Sequence, residues 1–115
     1  NPGIPGIIAG YGAQRVLHAP AAGPFEPCAQ IGDLVEKGQP IAAISGTPVL
    51  ASLTGVLRGL IRPGYPVTKG LKIADIDPRA SERKNCFTVS DKARCIAGGV
   101  LEAILHLAAE RGIAL

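Results

Sequence analysis

The chain has 115 residues, of which 47% are apolar and 3% aromatic, and its formal net charge is +3. This length suits one domain with a core of Val, Ile, Leu and Ala, and no apolar run approaches the roughly 20 residues that a membrane span requires. Because the basic residues are scattered and stacking aromatics are scarce, neither a nucleic acid nor a membrane is expected as a partner.

The three cysteines, Cys28, Cys86 and Cys95, form no Cys-x-x-Cys pair and lie far in sequence from His18 and His106. The sequence therefore predicts neither a disulfide framework nor a metal site, and we expect a reducing, cytoplasmic environment. Both histidines are interpreted as surface or boundary residues. Because the chain starts with Asn and contains no methionine, we expect it to be a fragment of a longer protein.

After an N-terminal extension over residues 1–15, an internal repeat fills residues 16–77. Shifting the sequence by 32 positions aligns residues 17–44 with residues 49–76 and gives nine identities in twenty-eight pairs. They are Ala19/Ala51, Gly23/Gly55, Gly32/Gly64, Val35/Val67, Lys37/Lys69, Gly38/Gly70, Ile41/Ile73, Ala42/Ala74 and Ile44/Ile76. The pattern predicts two quasi-symmetric halves of one domain, and in the first half it predicts strands over 16–19, 24–30 and 40–45.

The repeated Ala-x-x-x-Gly and Gly-x-x-Val-x-Lys-Gly motifs, at 19–23 and 32–38 and again at 51–55 and 64–70, resemble the biotinyl/lipoyl domain family. The resemblance implies a barrel-sandwich hybrid, a flattened barrel of two four-stranded sheets. A carrier domain of this family needs its lysine in the hairpin that joins the halves. Here that hairpin, residues 44–49, has no lysine, and Lys37 and Lys69 sit in ordinary solvated turns. We therefore predict a carrier fold without attached biotin or lipoate.

A charged connection over residues 78–89 follows, and it includes a strand candidate at Cys86–Val89. Ser90 then predicts the cap of a C-terminal helix over residues 90–112, with Asp91 in the first turn and Gly112 as the stop. Apolar residues at helical spacing give this helix one apolar face that must pack on the barrel or on a partner: Ala93, Ile96, Ala97, Val100, Leu101, Ile104, Leu105 and Ala108.

Two glycines, Gly98 and Gly99, lie in the middle of this helix, where each costs about 1 kcal/mol relative to Ala. One interpretation is close packing of the helix on the sheet. The other is an open backbone surface where a ligand or another chain docks.

The segment Asp75–Arg79, the run Cys86-x-Thr-x-Ser-Asp-Lys-Ala-Arg-x-Ile-x-Gly-Gly-Val-Leu-Glu-Ala and the N-terminal Gly3-Ile-Pro-Gly are similar to the accessory proteins of selenium-dependent molybdenum hydroxylases of the YqeB type. The resemblance covers nearly the whole chain. It implies the C-terminal part of a longer protein that acts in maturation or cofactor supply of such an enzyme. The partners it implies are the hydroxylase, its maturation proteins and a missing N-terminal domain.

Several residues are candidates for chemistry. The helix start, with Ser90, Lys92 and Arg94 and a returning Arg79, could bind a phosphate, a molybdenum cofactor or another oxyanion. Cys86 and Cys95 could approach each other as reactive thiols, or they could be small buried apolar residues. Asp75 and Asp77 could form a carboxylate pair, although strand alternation and a turn before proline explain them equally well.

The function predicted from the sequence is a non-catalytic binding or assembly module of a hydroxylase maturation factor. Two alternatives stay open. One is an enzyme fragment that handles a selenium, sulfur or pterin-phosphate group, and the other is a degenerate carrier-like scaffold. No catalytic residue is assigned.

Overall fold

The protein is described here by a computed structural model that covers residues 4–115. Residues 1–3 lie outside the described part, and with them lie the start of the predicted N-terminal extension and Gly3 of its Gly-Ile-Pro-Gly motif. Within residues 4–115, eight strands are followed by one α-helix: β1 Val16–His18, β2 Gly23–Pro27, β3 Leu34–Val35, β4 Pro40–Ile44, β5 Thr47–Leu50, β6 Gly55–Leu60, β7 Pro66–Val67, β8 Lys72–Asp77 and α1 Asp91–Glu110. Short 3-10 helices occupy Ala13–Arg15 and Ala80–Asn85.

The strands form two four-stranded antiparallel sheets. The first sheet has the order β1-β8-β6-β3, and the second has the order β5-β4-β2-β7. Each sheet therefore combines two strands of the first half with two strands of the second. The pairs β2–β4 and β6–β8 lie within one half, whereas β1–β8, β3–β6, β4–β5 and β2–β7 join the two halves. The prediction of a mainly β protein with a C-terminal helix is confirmed.

The 32-residue spacing of the sequence recurs in the pairing of the strands. Leu17 pairs with Ala74, and its repeat equivalent Val49 pairs with Ala42. The turns repeat in the same way: the N–H of Ala19 donates to the carbonyl of Leu71, and the N–H of Ala51 donates to the carbonyl of Gln39, each at 2.8 Å. Strands β1, β8, β6 and β3 of the first sheet thus correspond in order to β5, β4, β2 and β7 of the second, and an approximate two-fold symmetry relates the two halves.

The core lies between the two sheets and is almost entirely aliphatic. The largest fully buried side chains are mainly Ile, Leu and Val from both halves, together with the aromatic residue Phe25. Burial of such side chains provides about 1.5–3 kcal/mol each relative to full exposure, which explains how a chain with few aromatics forms a stable core. Besides several alanines, the core contains Leu17, Phe25, Val35, Ile41, Ile44, Val49, Leu53, Leu57, Val67, Ile73 and Ile76.

The hairpin that joins the halves turns at Ser45 and Gly46, with φ of 50° and 77°. Left-handed conformations at both central residues are typical of the two-residue turn that matches the twist of paired strands. The hairpin expected over residues 44–49 is therefore present, as a tight loop between β4 and β5.

Two local expectations were wrong. The strand candidate Cys86–Val89 forms no strand, because the preceding residues wind into a 3-10 helix and leave this segment without a ladder to join. The strand expected over 24–30 ends at Pro27, because the chain then turns over residues 30–33, where the N–H of Gln30 donates to the Asp33 carboxylate and the N–H of Asp33 donates to the carbonyl of Gln30.

The C-terminal helix forms where the sequence predicts it. The Ser90 hydroxyl accepts a hydrogen bond from the N–H of Ala93 at 3.1 Å and so caps the first turn, while Gly112 follows the end with a φ of 65°. Between residues 91 and 110, Ala108 is the one buried residue. Hence α1 extends from the sheets instead of packing on them, and the described chain measures 54 Å along its longest axis. No helix in residues 4–115 has the length and apolar character that a membrane crossing requires.

Candidate functional site

A cleft of about 640 Å³ opens where three parts of the chain meet. The N-terminal segment before β1 forms one wall, strands β6 and β8 form the floor, and the start of α1 forms the other wall. Its polar lining residues are Arg15, Arg58, Lys72, Asp75, Ser90 and Lys92. We call this feature the basic cleft, because four of these side chains are cationic and one is a carboxylate.

Arg15 is the most buried charged residue of the basic cleft, with 7% of its surface exposed. It ends the 3-10 helix before β1, and this position turns its side chain toward the sheet. One terminal nitrogen donates to the carbonyl of Gly6 at 3.1 Å, and the other lies 3.8 Å from a carboxylate oxygen of Asp75. The Arg15 Nε and the Asp75 Oδ1 are buried without a hydrogen-bond partner in the described part of the chain. An unpartnered buried donor is energetically costly, which makes this place suited to an incoming acceptor.

Asp77 forms a separate ion cluster at the edge of the cleft. Its carboxylate is fully buried at the end of β8 and accepts hydrogen bonds from the Arg79 backbone at 2.9 Å, from two guanidinium nitrogens of Arg79 at 3.0 and 2.9 Å, and from Arg58 at 3.1 Å. Glu82 lies 3.9 Å from Arg58 and 3.8 Å from Arg79. Two cations and two carboxylates therefore balance one another in this cluster.

The electrostatics of Asp77 follow from this geometry. Burial alone would raise the pKa of the Asp77 carboxyl, but the hydrogen bonds from Arg79 and Arg58 outweigh it and hold that pKa far below its ordinary value of 3.8. The same pairing raises the pKa of Arg79. Both groups are therefore charged at neutral pH, and Asp77 acts as a structural anchor for the segment that leads to α1.

The structure brings together part of the predicted anion-binding set. Ser90 and Lys92 line the basic cleft, as expected for residues at a helix start. Arg79 and Arg94 do not line it: Arg79 is held by Asp77, and Arg94 is exposed on α1. The other cationic residues that line the cleft are Arg15, Arg58 and Lys72, which come from distant parts of the sequence.

The sequence did carry a signal for one missed residue, Arg58, and for its partner Asp77. Arg58 and Asp77 occupy the repeat positions of Glu26 and Ser45, so the second half carries a new opposite-charge pair where the first half has none. Departures of this kind from an internal repeat point to a feature that one half alone possesses. Asp75 and Asp77 prove to be partners of different arginines and not a pair with each other.

A second candidate site is the apolar face of α1. Its large aliphatic side chains remain about half exposed: Ile96 56%, Val100 54%, Leu101 58%, Ile104 49% and Leu105 53%. A Cβ added at Gly98 or Gly99 would meet nothing within 4 Å. The interpretation that these glycines allow close packing of α1 on the sheet is therefore wrong, and the glycine pair leaves an open stretch of helix surface.

The cysteines are all free thiols. Cys95 is exposed on α1, whereas Cys86 is partly buried and its sulfur lies 3.7 Å from the carbonyl oxygen of Glu82. In residues 4–115, no group of three His, Cys, Asp or Glu side chains is arranged to hold a metal ion. His106 lies 3.4 Å from Glu110 on the surface of α1.

Comparison with known proteins gives one clear similarity. The chain is 50% identical over 107 residues to YqeB of Escherichia coli (strain K12), which is described as an uncharacterized protein. The match covers 93% of this chain and 20% of YqeB, so the chain spans about a fifth of the length of this relative. No family model and no solved structure matches the chain. The match supports the resemblance of the chain to the YqeB type.

Proposed function

We propose that this chain is a non-catalytic assembly module that docks another polypeptide through the apolar face of α1. The observation that carries the proposal is the exposure of that face, where Leu101 and Ile104 are 58% and 49% exposed. Contiguous apolar surface on this scale marks interaction sites in soluble proteins. A helix of this amphipathic type gains most of its stability from such packing and is marginal without it.

The occupant we propose is the part of a YqeB-like protein that lies outside the stretch matched here. Four-fifths of YqeB has no counterpart in this chain, which leaves ample polypeptide for a docking surface. An anionic membrane surface is disfavoured, because α1 carries Lys92 and Arg94 against Asp91, Glu102 and Glu110, a net charge of 2 − 3 = −1. Gly98, three residues before Leu101 and seven before Leu105, borders the apolar face and would let the partner approach the helix backbone at that edge, whereas Gly99 lies on the opposite side of the helix.

For the two sheets we propose the barrel-sandwich hybrid architecture of biotinyl/lipoyl domains. Support comes from the exchange of equivalent strands between the halves and from the tight hairpin at Ser45 and Gly46. In a carrier domain this hairpin would hold the modified lysine. We propose a scaffold use of the fold without covalent biotin or lipoate, which mass spectrometry of the native protein tests directly, because either group adds mass.

We further propose that the module serves a protein that matures a selenium-dependent molybdenum hydroxylase or supplies its cofactor. The motifs shared with the YqeB type support this role, and the basic cleft offers chemistry that suits an anionic cofactor or oxyanion. The test compares the molybdenum content, selenium content and activity of the hydroxylase in cells that contain or lack the protein. Unchanged values in all three would contradict this role.

The docking proposal is tested in full-length E. coli YqeB whose matched stretch is replaced by this chain. Leu101→Glu should disrupt docking, because a buried Leu contributes about 1.5–3 kcal/mol. We expect cleavage within α1 by a dilute protease to become at least about tenfold faster. Leu34→Glu on β3 is the matched control, since Leu34 is similarly exposed at 55% but lies on the sheet. Equal cleavage rates for both variants and the parent chimera would contradict the proposal.

A further inference from the structure

We propose that the basic cleft binds a small molecule that carries a dianionic phosphate monoester group. The inference is separate from the docking role of α1, because it uses the N-cap residue Ser90 and Lys92 of the first turn, together with the N-terminal segment and the sheet, but not the apolar face of the helix. Its basis is the charge, the donor groups and the size of the cleft.

The charge of the cleft matches a dianion once the ion pairs are assigned. Arg58 is neutralised by Asp77, 3.1 Å away, so it contributes a hydrogen-bonding surface but little free charge. Asp75 offsets Arg15 at 3.8 Å. Within residues 4–115, Lys72 and Lys92 have no carboxylate at salt-bridge distance. The sum over Arg15, Lys72, Lys92 and Asp75 is 3 − 1 = +2, which a phosphate monoester dianion would balance.

The donors of the cleft include one that has no acceptor. Arg15 is buried, lines the cleft, and has an Nε without a hydrogen-bond partner in the part of the chain that the structure describes. A guanidinium presents its nitrogens in a rigid fork that fits a phosphate, and this fork is already oriented by Gly6 and Asp75.

The start of α1 adds a second kind of donor. The Ser90 hydroxyl oxygen is used as the acceptor of the helix cap, so its own hydrogen is free to donate into the cleft. The exposed N–H groups and the positive end of the helix dipole favour an anion at the same place. Two independent elements therefore direct donors toward one volume.

The remaining lining and the volume favour a phosphate with an organic body over a free ion. A cleft of about 640 Å³ is within the range that binds small molecules and far exceeds what one phosphate occupies. Ile4, Pro5 and Ile8 supply apolar surface on the N-terminal wall. The unpartnered Oδ1 of Asp75 would repel the phosphate but can accept a hydrogen bond from a hydroxyl of the organic part.

The experiment is isothermal titration calorimetry of the chain at low ionic strength with phenyl phosphate, inorganic phosphate and phenol. We expect one saturable site for phenyl phosphate, weaker binding of inorganic phosphate, no binding of phenol, and loss of affinity with added salt. Lys72→Gln and Lys92→Gln should each weaken phenyl phosphate binding by roughly fivefold to tenfold, because each removes a charge-assisted contact. Both lysines are exposed, so neither change threatens the fold.

Lys69→Gln is the matched control, since Lys69 is an exposed lysine in a turn away from the cleft. Its dissociation constant should stay within about twofold of that of the parent chain. Equal affinity for inorganic phosphate and phenyl phosphate would overturn the monoester, because the apolar wall would then contribute nothing. An absence of saturable binding, or equal effects of Lys72→Gln, Lys92→Gln and Lys69→Gln, would overturn the site itself.

Discussion

Arg79 donates three hydrogen bonds to the carboxylate of Asp77, two residues before it in the chain: one from its backbone N–H at 2.9 Å and two from guanidinium nitrogens at 3.0 and 2.9 Å. Pro78 stands between them and ends the strand ladder, so the chain turns back on its own carboxylate. Arg58 from β6 reaches the same carboxylate. This arrangement fixes the direction in which the chain leaves the sheets, and with it one side of the basic cleft.

Asp77→Asn should destabilise the chain by about 2 kcal/mol. Breaking a buried ion pair costs roughly 3–5 kcal/mol, but here the arginine partners keep access to water, which reduces the penalty. Urea denaturation followed by far-UV circular dichroism measures the change. Asp33→Asn is the control, because the Asp33 carboxylate is partly exposed and its one side-chain bond, from the N–H of Gln30, can be kept by the amide oxygen. Equal losses in the two variants would contradict an anchoring role for Asp77.

The stability of the protein should fall in acid through the same group. Because the pKa of Asp77 is lowered in the folded state, the unfolded chain takes up the proton first. The stabilisation is therefore complete above about pH 5 and is lost as the pH falls through the ordinary value of 3.8 toward the lower folded value. Urea midpoints at pH 7, 4 and 2.5 should decline more steeply for the parent chain than for Asp77→Asn. Parallel curves would assign the acid sensitivity to other carboxylates.

Two glycines should respond oppositely to alanine. A Cβ at Gly55 would lie 2.8 Å from the carbonyl carbon of Asp77 and nearer still to its oxygen, so Gly55→Ala must displace β8 and should cost about 3 kcal/mol or more. A Cβ at Gly99 meets nothing, so Gly99→Ala should favour α1 by about 1 kcal/mol. Since α1 does not pack on the sheets, the second change should raise helix content without moving the unfolding midpoint of the sheets. A stabilising Gly55→Ala would show that the close approach of β6 and β8 is wrong.

The glycine pair also separates helix propensity from docking. Gly98→Leu should strengthen α1 in the isolated chain, because Leu is a better helix former and its side chain enters open space. In the full-length chimera the same change should expose α1 to protease if the partner contacts the backbone at Gly98. Faster cleavage in the chimera together with higher helix content in the isolated chain is the expected result. Protection equal to that of the parent chimera would place the docking surface elsewhere on the helix.

Much of the sheet arrangement was accessible from the sequence because the repeat carries it. The glycines and the valines of the two halves recur at a spacing of 32 residues. Gly23 pairs with Val67, and their repeat equivalents Gly55 and Val35 pair with each other in the same way. The helix was equally accessible, since Ser90 and Gly112 mark its ends with local chemistry. These features depend on residues near one another in sequence or on a regular period.

The basic cleft was less accessible, because its residues meet only after the sheets form. Arg15 and Lys72 lie 57 residues apart, and no local pattern links them (72 − 15 = 57). The packing of α1 could not be settled either, since an apolar stripe shows that a helix buries one face but not against what. The strand prediction for Cys86–Val89 was wrong for a related reason. Strand propensity over four residues is a weak signal, and here the preceding residues form a 3-10 helix instead of a strand that this segment could pair with.

Hydrogen–deuterium exchange of the α1 amides tests whether the apolar face of this helix docks a partner. The measurement compares the isolated chain with the full-length YqeB chimera, at two protein concentrations. We expect fast exchange across Ile96–Leu107 in the isolated chain and at least about tenfold slower exchange in the chimera, at both concentrations. Equally fast exchange in both proteins, or protection of the isolated chain that grows with its concentration, would contradict docking on the remainder of the protein.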